Sequence, residues 1–188
     1  YDVYKIGITK DGRWFYYPGP SDKMPEDQWL NCPGNIPCLI SPDRACHGML
    51  LFEEGGVRTV RLDAAIPVLH GKNGEDGTIQ GLFELAGIPY VGCGVLASAA
   101  CMDKAVANIL FDAAGVPHCR WDWADRAGCD DFDALAGRLE KKLGWPIFVK
   151  PANAGSSVGI SKAEDRAALK AAVATALAED DKVVFERF

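Results

Sequence analysis

The segment from Ile147 to Ile160 restricts the fold of this chain more than any other stretch. A β-branched and aromatic run ends in Lys150, a loop rich in glycine and serine follows, and a second apolar run closes the segment. Short apolar runs bounded by loop residues are typical of β-strands. The pattern therefore predicts a β-hairpin with a flexible polar tip, which we call the glycine–serine hairpin (residues 147–160).

The glycine–serine hairpin carries the groups that a phosphate-binding loop needs. Gly155 and Gly159 allow backbone conformations in which N–H groups converge on an anion. Ser156 and Ser157 add hydroxyl donors, and Lys150 adds a point charge suited to phosphate. A serine-rich surface turn beside a strand-ending lysine fits the local residues equally well, because glycine-rich motifs often occur without a ligand. From these residues alone, both interpretations stay open.

Size and charge limit the classes of function. The chain has 188 residues, a net charge of −6 and nearly half hydrophobic residues, so we expect one large or two small globular domains with a sizeable core. The acidic balance, without a basic stripe of interleaved aromatic residues, argues against a nucleic-acid partner. No apolar run reaches membrane-spanning length, so we expect no membrane partner.

The cysteines indicate a reducing compartment. There are seven, an odd number, and no C-x-x-C pair occurs, so the sequence predicts neither a disulfide framework nor a zinc site. We expect reduced, mostly buried thiols in a cytoplasmic protein.

The two ends of the chain indicate a fragment. The sequence begins without methionine in a strand-like run and stops inside another apolar run. A strand that ends in this way would lack ladder partners for its backbone groups. We therefore expect that sequence is missing on both sides.

The first part of the chain carries two hairpin patterns. Tyr4–Tyr17 predicts one hairpin around an Asp-Gly pair, and Met49–Leu62 predicts another around a Gly-Gly pair. Residues 18–37, rich in proline, glycine and asparagine, predict a loop with one short helical turn. Ala65–Leu69 predicts a buried strand that runs into a polar loop at His70.

Beyond residue 70 the pattern alternates between helix and strand. Apolar residues at helical spacing predict helices at residues 79–86, 106–113, 132–143 and 169–176. Short β-rich runs predict strands at residues 88–91, at 118–123 and at the C-terminus, with a polar surface connection at 124–131. Alternation of this kind predicts α/β layers, with a domain boundary near residues 97–102.

A dinucleotide fold receives only weak support. Gly92–Ala97 matches G-x-G-x-x-A, but the fingerprint also requires an acidic residue at the end of a second strand roughly 20 residues further on. Asp112 has about that offset, yet it falls within the predicted helix at 106–113. We therefore set the dehydrogenase hypothesis aside.

Two further residues are candidates for the site. His70 opens a polar loop after a predicted strand, where it could contact a carboxylate or take part in proton transfer. A capping loop, with Asp76 or Thr78 satisfying free amides, explains the same residues. Lys104 lies in the first turn of a predicted helix, which is unfavourable for the helix dipole unless an anion is near, although most such lysines are simply exposed.

Four blocks in fixed order resemble the D-alanine–D-alanine ligases of the ATP-grasp superfamily. They are His70-Gly71 with Gly74–Gly81, Glu84–Gly92, Ser98-Ala99 with Met102–Lys104, and Val149–Pro151 with Gly155–Gly159. The final Glu186-Arg187-Phe188 is similar to the adenine-side strand of that family. The likeness is densest from Val68 to Phe188, and its motifs are specific because they occur together.

The resemblance implies the fold. It is α/β, with a Rossmann-like (pre-ATP-grasp) N-terminal domain at residues 1–98 and the small α+β subdomain of an ATP-grasp fold at residues 99–188. Each domain is expected to be incomplete at the chain end that it contains.

The resemblance also implies a nucleotide site. Lys104 and Lys150 would contact the phosphates of ATP, and Ser156 and Ser157 would lie in the mobile loop over the nucleotide. The adenine pocket would be lined by Glu186, Arg187 and Phe188.

The candidate catalytic residues follow from the same likeness. His70 would sit beside the first D-alanine, and Ser156 would also lie near it. In the family reaction, the γ-phosphoryl group of ATP moves to the carboxylate of that D-alanine, the amine of a second D-amino acid attacks the acyl phosphate, and phosphate leaves.

The resemblance also implies the biological role of the parent protein and the catalytic groups that lie outside this chain. The parent would be a cytoplasmic bacterial homodimer that makes a peptidoglycan precursor from D-alanine and ATP with Mg²⁺. No metal ligand is assigned within this chain: the Mg²⁺-binding acids, an oxyanion-stabilising arginine and the second-substrate loop are expected beyond Phe188. The glutamate that holds the first ammonium group is expected before residue 1, so the fragment alone is expected to be inactive.

Other functions stay open. The hairpin Ile6–Trp14 and the block His70–Gly74 are also similar to vancomycin-resistance D-alanine–D-serine ligases, and Arg187 stands where many family members have lysine. The second substrate is therefore D-alanine, D-serine or D-lactate. Another ATP-grasp carboxylate–amine ligase, and a non-catalytic nucleotide-binding module, are the remaining alternatives.

Overall fold

A computed structural model of the chain describes residues 1–155 and 157–188, with the side chains of residues 26 and 27 outside that description. The chain forms two compact units. The N-terminal unit consists of residues 1–66 with 81–92, and the C-terminal unit consists of residues 67–80 with 93–188.

The N-terminal unit is built on a five-stranded antiparallel meander in the order β1-β2-β3-β4-β5. Its strands are Lys5–Ile8 (β1), Trp14–Tyr17 (β2), Ile36–Ile40 (β3), Gly48–Glu53 (β4) and Gly56–Arg61 (β5). Both predicted hairpins are confirmed, since β1 pairs with β2 and β4 pairs with β5. Parallel pairing, which marks a Rossmann-like sheet, occurs in the described chain at the bridge between Ala65 and Tyr90.

Aromatic packing forms the core of this sheet. Tyr17 is fully buried on β2, and its ring centroid lies 6.3 Å from that of Trp29. The Trp29 ring also covers β1, where a Cβ atom at Gly7 would stand 2.4 Å from it. Glycine at position 7 is therefore what allows Trp29 to close this edge of the core.

Three helices come before the second sheet. They are Thr78–Ala86 (α1), Val95–Met102 (α2) and Lys104–Ala114 (α3). The predicted helices at residues 79–86 and 106–113 are thus confirmed as α1 and α3. Gly115, in the left-handed region at φ +67°, ends α3 as expected of a C-terminal glycine.

The C-terminal unit contains an antiparallel sheet in the order β6-β9-β7-β8. Its elements are Trp121–Asp125 (β6), Arg126–Asp130 (α4), Phe132–Lys142 (α5), Ile147–Pro151 (β7), Ser161–Ala163 (β8), Arg166–Glu179 (α6) and Lys182–Arg187 (β9). The predicted hairpin is confirmed, because β7 and β8 pair antiparallel on either side of the loop, but its second strand begins at Ser161 and not in the apolar run that ends at Ile160.

Side-chain alternation gives this sheet two different faces. Val149 and Phe185 point into a buried cluster with Leu139 of α5 and Leu169 of α6. Successive strand residues point to opposite faces, so the residues next to them in β7 and β9, such as Lys150, lie on the other face. One face is therefore a hydrophobic core, and the other carries charged groups.

Aspartates start four of the helices. Asp103, Asp125, Asp131 and Asp165 each accept hydrogen bonds from backbone N–H groups in the first turn of the helix that follows. A carboxylate here satisfies free donors and complements the positive end of the helix dipole.

Two predicted strands were wrong. In place of a buried strand at residues 65–69, only Ala65 pairs, with Tyr90, and Ile66 and Val68 are 72% and 79% exposed. In place of the strand predicted at residues 88–91, only Tyr90 pairs, in the same bridge. Pro67 lacks an N–H group to donate to a ladder, and an apolar run forms a strand only where a partner strand is available to pair with it.

Other differences concern elements that the pattern did not reveal. The predicted loop at 18–37 contains two 3₁₀ helices, Ser21–Lys23 and Pro25–Asn31, and the beginning of β3. The helix α2 was not predicted, because small residues dominate it. The strand predicted from residue 118 begins at Trp121, and the predicted surface connection at 124–131 includes the short helix α4.

The cysteines are free, but they are less buried than predicted. Cys38 and Cys129 are buried, Cys32 and Cys46 are half-buried, and Cys93, Cys101 and Cys119 are exposed. The expectation of mostly buried thiols was therefore wrong. None of the helices in the described parts of the chain has the length and apolar character needed to cross a membrane.

The core of the C-terminal unit can be tested with a pair of leucines. Leu139 is fully buried and Leu96 is 82% exposed. We expect Leu139→Ala to lower the free energy of unfolding by about 2–5 kcal/mol, because it leaves a cavity. The exposed control Leu96→Ala should change it by less than about 0.5 kcal/mol. Urea denaturation followed by tryptophan fluorescence measures both, and equal losses would contradict this description of the core.

Candidate functional site

Lys104 is bound to the base of the glycine–serine hairpin. Its ammonium nitrogen donates to the carbonyl oxygens of Ala152 and Ala154, at 3.2 and 2.7 Å. Its backbone N–H also donates to the carbonyl oxygen of Ala152, at 3.1 Å. These contacts explain how a lysine can occupy the first position of α3, since carbonyl oxygens offset the unfavourable helix dipole.

Lys150 lies close to the same place and has an acidic partner. It leaves β7 next to Phe148 and forms an ion pair with Glu186 of the neighbouring strand β9. Both side chains are largely buried, at 22% and 16% exposure. A largely buried carboxylate beside the lysine keeps the ammonium group in a fixed position, whereas an unpaired lysine side chain would sample many conformations.

The two lysines influence each other. Burial lowers the pKa of Lys104 most, and the charge of Lys150 lowers it further, while Glu186 acts in the opposite direction. The two ammonium groups are partly buried and repel each other. An anion between or beside them would therefore be favourable.

A second group of charges fixes the start of α3. The carboxylate of Asp103 accepts from the N–H groups of Ala105 and Val106, at 2.9 and 3.1 Å, and forms an ion pair with Lys182 of β9. Burial raises the pKa of Asp103, but the hydrogen bond from Lys182 and those from the backbone outweigh it, so the net pKa lies below the usual value. The first turn of α3 is thereby attached to the sheet.

Asn153 connects the hairpin to this group. Its side-chain amide donates to Asp180 at 3.1 Å and to Asp103 at 3.5 Å, and its backbone N–H donates to Asp180 at 2.7 Å. The hairpin base is therefore held at both Ala152 and Asn153.

Aromatic and cationic side chains lie at the end of the chain. The ring of Phe188 lies 5.4 Å from that of Phe148, and the ammonium group of Lys162 is 4.6 Å from the centre of the Phe188 ring. Arg187 is exposed, and its backbone N–H donates to the carbonyl oxygen of Arg120 at 2.9 Å. A flat aromatic surface with a cation over it suits the face of a planar ring.

The loop of His70 meets the glycine–serine hairpin. A Cβ atom at Gly155 would stand 3.1 Å from the Cα atom of Gly71, so the two backbones are nearly in contact. His70 itself is exposed, 4.0 Å from the nearer carboxylate oxygen of Glu75. The predicted capping role of Asp76 is confirmed, because it accepts from the N–H groups of Asn73 and Thr78 at 2.8 and 3.0 Å.

The tip of the hairpin is described in part. Ser156 lies outside the described residues. Ser157 has a backbone angle of φ +61°, a left-handed conformation that is uncommon for serine. Such a conformation turns successive N–H groups towards one side of a loop, as anion-binding loops do.

The described residues do not fit a metal ion. They contain no group of three or more histidine, cysteine, aspartate or glutamate side chains able to hold one. Three acidic side chains near the hairpin already have partners: Glu186 pairs with Lys150, Asp103 with Lys182, and Asp180 with Asn153.

Sequence reasoning singled out both lysines and the loop, which the structure brings together, but missed the groups that hold them. The resemblance assigns Glu186 to the adenine pocket and does not predict its ion pair with Lys150. Asp103, Lys182 and Asn153 were not singled out at all. A usable signal was present, since Asp103 directly precedes a helix and is a natural N-cap.

Comparisons with known proteins agree with this geometry. The family model described as D-ala D-ala ligase N-terminus matches residues 1–93, and the one described as D-ala D-ala ligase C-terminus matches residues 110–188. The chain belongs to the D-alanine–D-alanine ligase family. The predicted fold class is confirmed with it, because structures of this family are ATP-grasp proteins.

Relatives of this family match over the whole chain. A D-alanine–D-alanine ligase of Acetivibrio thermocellus is 47% identical, with 100% of this chain and 53% of that protein covered. The vancomycin B-type resistance protein VanB of Enterococcus faecalis is 43% identical, with 100% and 50% covered. The chain thus spans about half the length of the curated relatives it matches.

Solved structures of the ligase family match as well. The VanG D-Ala:D-Ser ligase from Enterococcus faecalis superposes with a TM-score of 0.87 at 40% identity, covering 100% of this chain and 53% of that one. The D-alanine–D-alanine ligase from Coxiella burnetii gives 0.84 at 29% identity, covering 97% and 52%.

The coupling between the lysines can be measured. Lys150→Met removes a neighbouring positive charge, so we expect the pKa of Lys104 to rise, whereas Glu186→Gln removes a negative charge and should lower it further. Titration of the Lys104 ¹³Cε chemical shift reports both changes. Lys141→Met, a change of an exposed lysine on α5, is the control and should leave the value unaltered. Shifts in the same direction for both site variants would contradict the proposed arrangement.

The contact between the two loops gives a second test. In Gly155→Ala the new Cβ atom would lie 3.1 Å from the Cα atom of Gly71, so the backbone of Gly71 must shift by a few tenths of an ångström. We expect amide chemical shifts to change in both loops. The control Gly137→Ala adds a Cβ on α5 with nothing within 4 Å, and should only stabilise the helix, by about 1 kcal/mol. An unaltered Gly71 amide in Gly155→Ala would show that the loops are not in contact.

Proposed function

We propose that this chain is the part of a D-alanine–D-alanine ligase that binds ATP and the first D-alanine. The γ-phosphoryl group of ATP is transferred to the carboxylate of D-alanine, which forms an acyl phosphate and ADP. The amine of a second D-alanine attacks the acyl carbon, and phosphate leaves. The observation that carries this proposal is the presence of Lys104 and Lys150 together at the base of one glycine-rich hairpin.

The lysines are proposed to bind the triphosphate. Phosphoryl transfer is catalysed mainly by positioning and by neutralising charge on the phosphate oxygens. Lys104 is supported on the hairpin carbonyl groups and Lys150 on Glu186, so both ammonium groups are in place before a nucleotide binds. Ser156 and Ser157 are proposed to add hydroxyl and N–H donors from the hairpin loop that covers the phosphates.

The adenine pocket is proposed at the end of β9. Glu186, Arg187 and Phe188 supply the strand, and the aromatic pair of Phe148 and Phe188 supports this assignment because a flat apolar surface suits a purine.

The first D-alanine is proposed to bind beside His70. The near contact of Gly71 with Gly155 supports this, since it places the His70 loop next to the hairpin that would carry the γ-phosphate. His70 is exposed and free to orient a carboxylate, and Ser156 is proposed to complete the contact.

Further features of the parent enzyme are part of the proposal. They are a cytoplasmic location, a homodimer, a role in peptidoglycan precursor synthesis, Mg²⁺ held by residues outside this chain, and a domain boundary between residues 98 and 99. The comparisons support the family and leave each of these features as a proposal.

A D-alanine–D-serine ligase is the second candidate. The observation in its favour is the match to the VanG D-Ala:D-Ser ligase. The first half-reaction and the residues proposed here are the same for both candidates, because the two differ only in which nucleophile attacks the acyl phosphate.

The proposal is tested by phosphate release from the full-length protein that carries this chain. We expect ATP and D-alanine together to release phosphate, and Lys150→Met to lower kcat/KM by about 100-fold or more, since a preorganised charge is lost. Lys141→Met should keep the activity of the unchanged protein. Full activity in Lys150→Met would refute the assigned phosphate site.

Product analysis separates the candidates. Incubation with D-alanine and an excess of D-serine or D-lactate is expected to yield D-alanyl-D-alanine as the main product. A main product containing D-serine or D-lactate would favour the corresponding depsipeptide or dipeptide ligase. ATP binding without turnover on any of these substrates would indicate a non-catalytic nucleotide-binding module.

A further inference from the structure

A cavity of about 630 Å³ lies outside the residues assigned to ATP and D-alanine. It is formed by the C-terminal turn of α3, the connection to β6, and the end of α5. Its polar lining consists mainly of Asp112, His118, Arg120 and Lys142, with the ring of Trp121 beside them. Its volume is within the usual range for small-molecule sites.

Asp112 determines which nitrogen of His118 carries a proton. One carboxylate oxygen lies 2.8 Å from the Nε2 atom of His118, and the other accepts from the indole N–H of Trp121 at 2.9 Å. The hydrogen bonds from Trp121 and His118 hold the pKa of Asp112 below its usual value, so the group is a carboxylate and can only accept. Nε2 of His118 must therefore be the donor.

The other ring nitrogen of His118 is left without a partner. Nδ1 is buried, and no hydrogen-bonding group among the described residues reaches it. In the neutral imidazole with its proton on Nε2, this atom carries a lone pair that accepts a hydrogen bond. A buried acceptor without a donor is uncommon in folded proteins. Nδ1 has almost no accessible surface, so a hydroxyl or amino group of a ligand supplies the missing donor once the ring turns slightly towards the cavity.

The cations of the cavity are only partly neutralised. The guanidinium group of Arg120 is exposed and makes no ion pair or hydrogen bond within the described chain. The ammonium nitrogen of Lys142 lies 3.5 Å from a carboxylate oxygen of Asp122, and Nε of Arg138 lies 3.2 Å from the other oxygen. Two positive side chains therefore share one carboxylate. In a chain with a net charge of −6, this is a local positive surface.

We propose that this cavity binds a small organic phosphate that carries a hydroxyl group next to the phosphate. Arg120 and Lys142 hold the phosphate oxygens, the guanidinium group by paired hydrogen bonds and the ammonium group as a point charge. The neighbouring hydroxyl group donates to Nδ1 of His118. Asp112 and Trp121 act as positioning residues, because they fix the imidazole ring and its proton without touching the ligand.

This site is independent of the nucleotide site in its chemistry. None of its lining residues is among those proposed for ATP or D-alanine. It adjoins that region along β6 and β9, where Trp121 lies opposite Glu186 and the carbonyl oxygen of Arg120 accepts from the N–H of Arg187. Because the two sites use different side chains, loss of one site is expected to leave binding at the other.

The proposal is tested by calorimetric titration of the protein with three probes: glycerol 3-phosphate, inorganic phosphate and glycerol. We expect glycerol 3-phosphate to bind about three- to tenfold more tightly than inorganic phosphate, as one additional neutral hydrogen bond implies, and glycerol not to bind measurably. The indole N–H resonance of Trp121 should shift during the first two titrations. No preference for glycerol 3-phosphate would overturn the role of His118.

Variants separate this site from others. Arg120→Gln and Lys142→Gln should each weaken the binding of glycerol 3-phosphate and of inorganic phosphate about tenfold, since a hydrogen bond to a charged group is lost. His118→Phe should remove only the preference for glycerol 3-phosphate. The matched control Lys141→Gln, one position from Lys142 and outside the cavity, should bind as the unchanged protein does.

The nucleotide site provides the last comparison. Lys150→Met should still bind glycerol 3-phosphate with unchanged affinity. Loss of binding in Lys150→Met, or unchanged binding in both Arg120→Gln and Lys142→Gln, would place the probe at the nucleotide site or elsewhere and overturn the proposal.

Discussion

The bond between the ammonium group of Lys104 and the carbonyl oxygens of Ala152 and Ala154 is the interaction on which the candidate site depends. It joins the first turn of α3 to the strand that leads into the glycine–serine hairpin. An ammonium group that loses water needs replacement partners, and backbone carbonyl groups provide them without a competing negative charge. The result is a cation that is held in position and still attracts an anion.

The neighbouring lysines are held by a different kind of partner, a carboxylate. Lys150 has Glu186 and Lys182 has Asp103, so each buried charge has an opposite one in contact with it. Breaking such a pair leaves an uncompensated charge, which is strongly unfavourable in a partly buried place. These pairs therefore fix the geometry of the sheet face more than they stabilise the fold as a whole, which rests on the apolar cluster around Leu139 and Phe185 on the opposite face.

The elements that could be predicted from the sequence are those with a strong local signal. The helices α1, α3, α5 and α6 follow from apolar spacing, and the hairpins follow from their turn residues. The strand predicted at residues 65–69 failed because an apolar run does not reveal whether partner strands exist. The helix α2 and the strand β3 were missed because small residues and a proline hide their patterns.

The residues of the candidate site also fall into two groups, those that local motifs revealed and those that they did not. Lys104, Lys150 and the glycine–serine loop were singled out as candidates because they stand in short motifs. Their partners were not, since Lys150 and Glu186 are 36 positions apart and Asp103 and Lys182 are 79 apart. A contact across such distances is created by the fold and leaves no trace in a local window. The same holds for the cavity at His118, which depends on residues from three separate elements.

The near contact of Gly155 with Gly71 has a consequence for the spacing of the two loops. A Cβ atom on Gly155 would stand 3.1 Å from the Cα atom of Gly71, closer than such atoms ordinarily approach. Any residue with a side chain at position 155 would therefore hold the hairpin further from the His70 loop, so this single glycine sets the separation of two segments that lie far apart in the sequence.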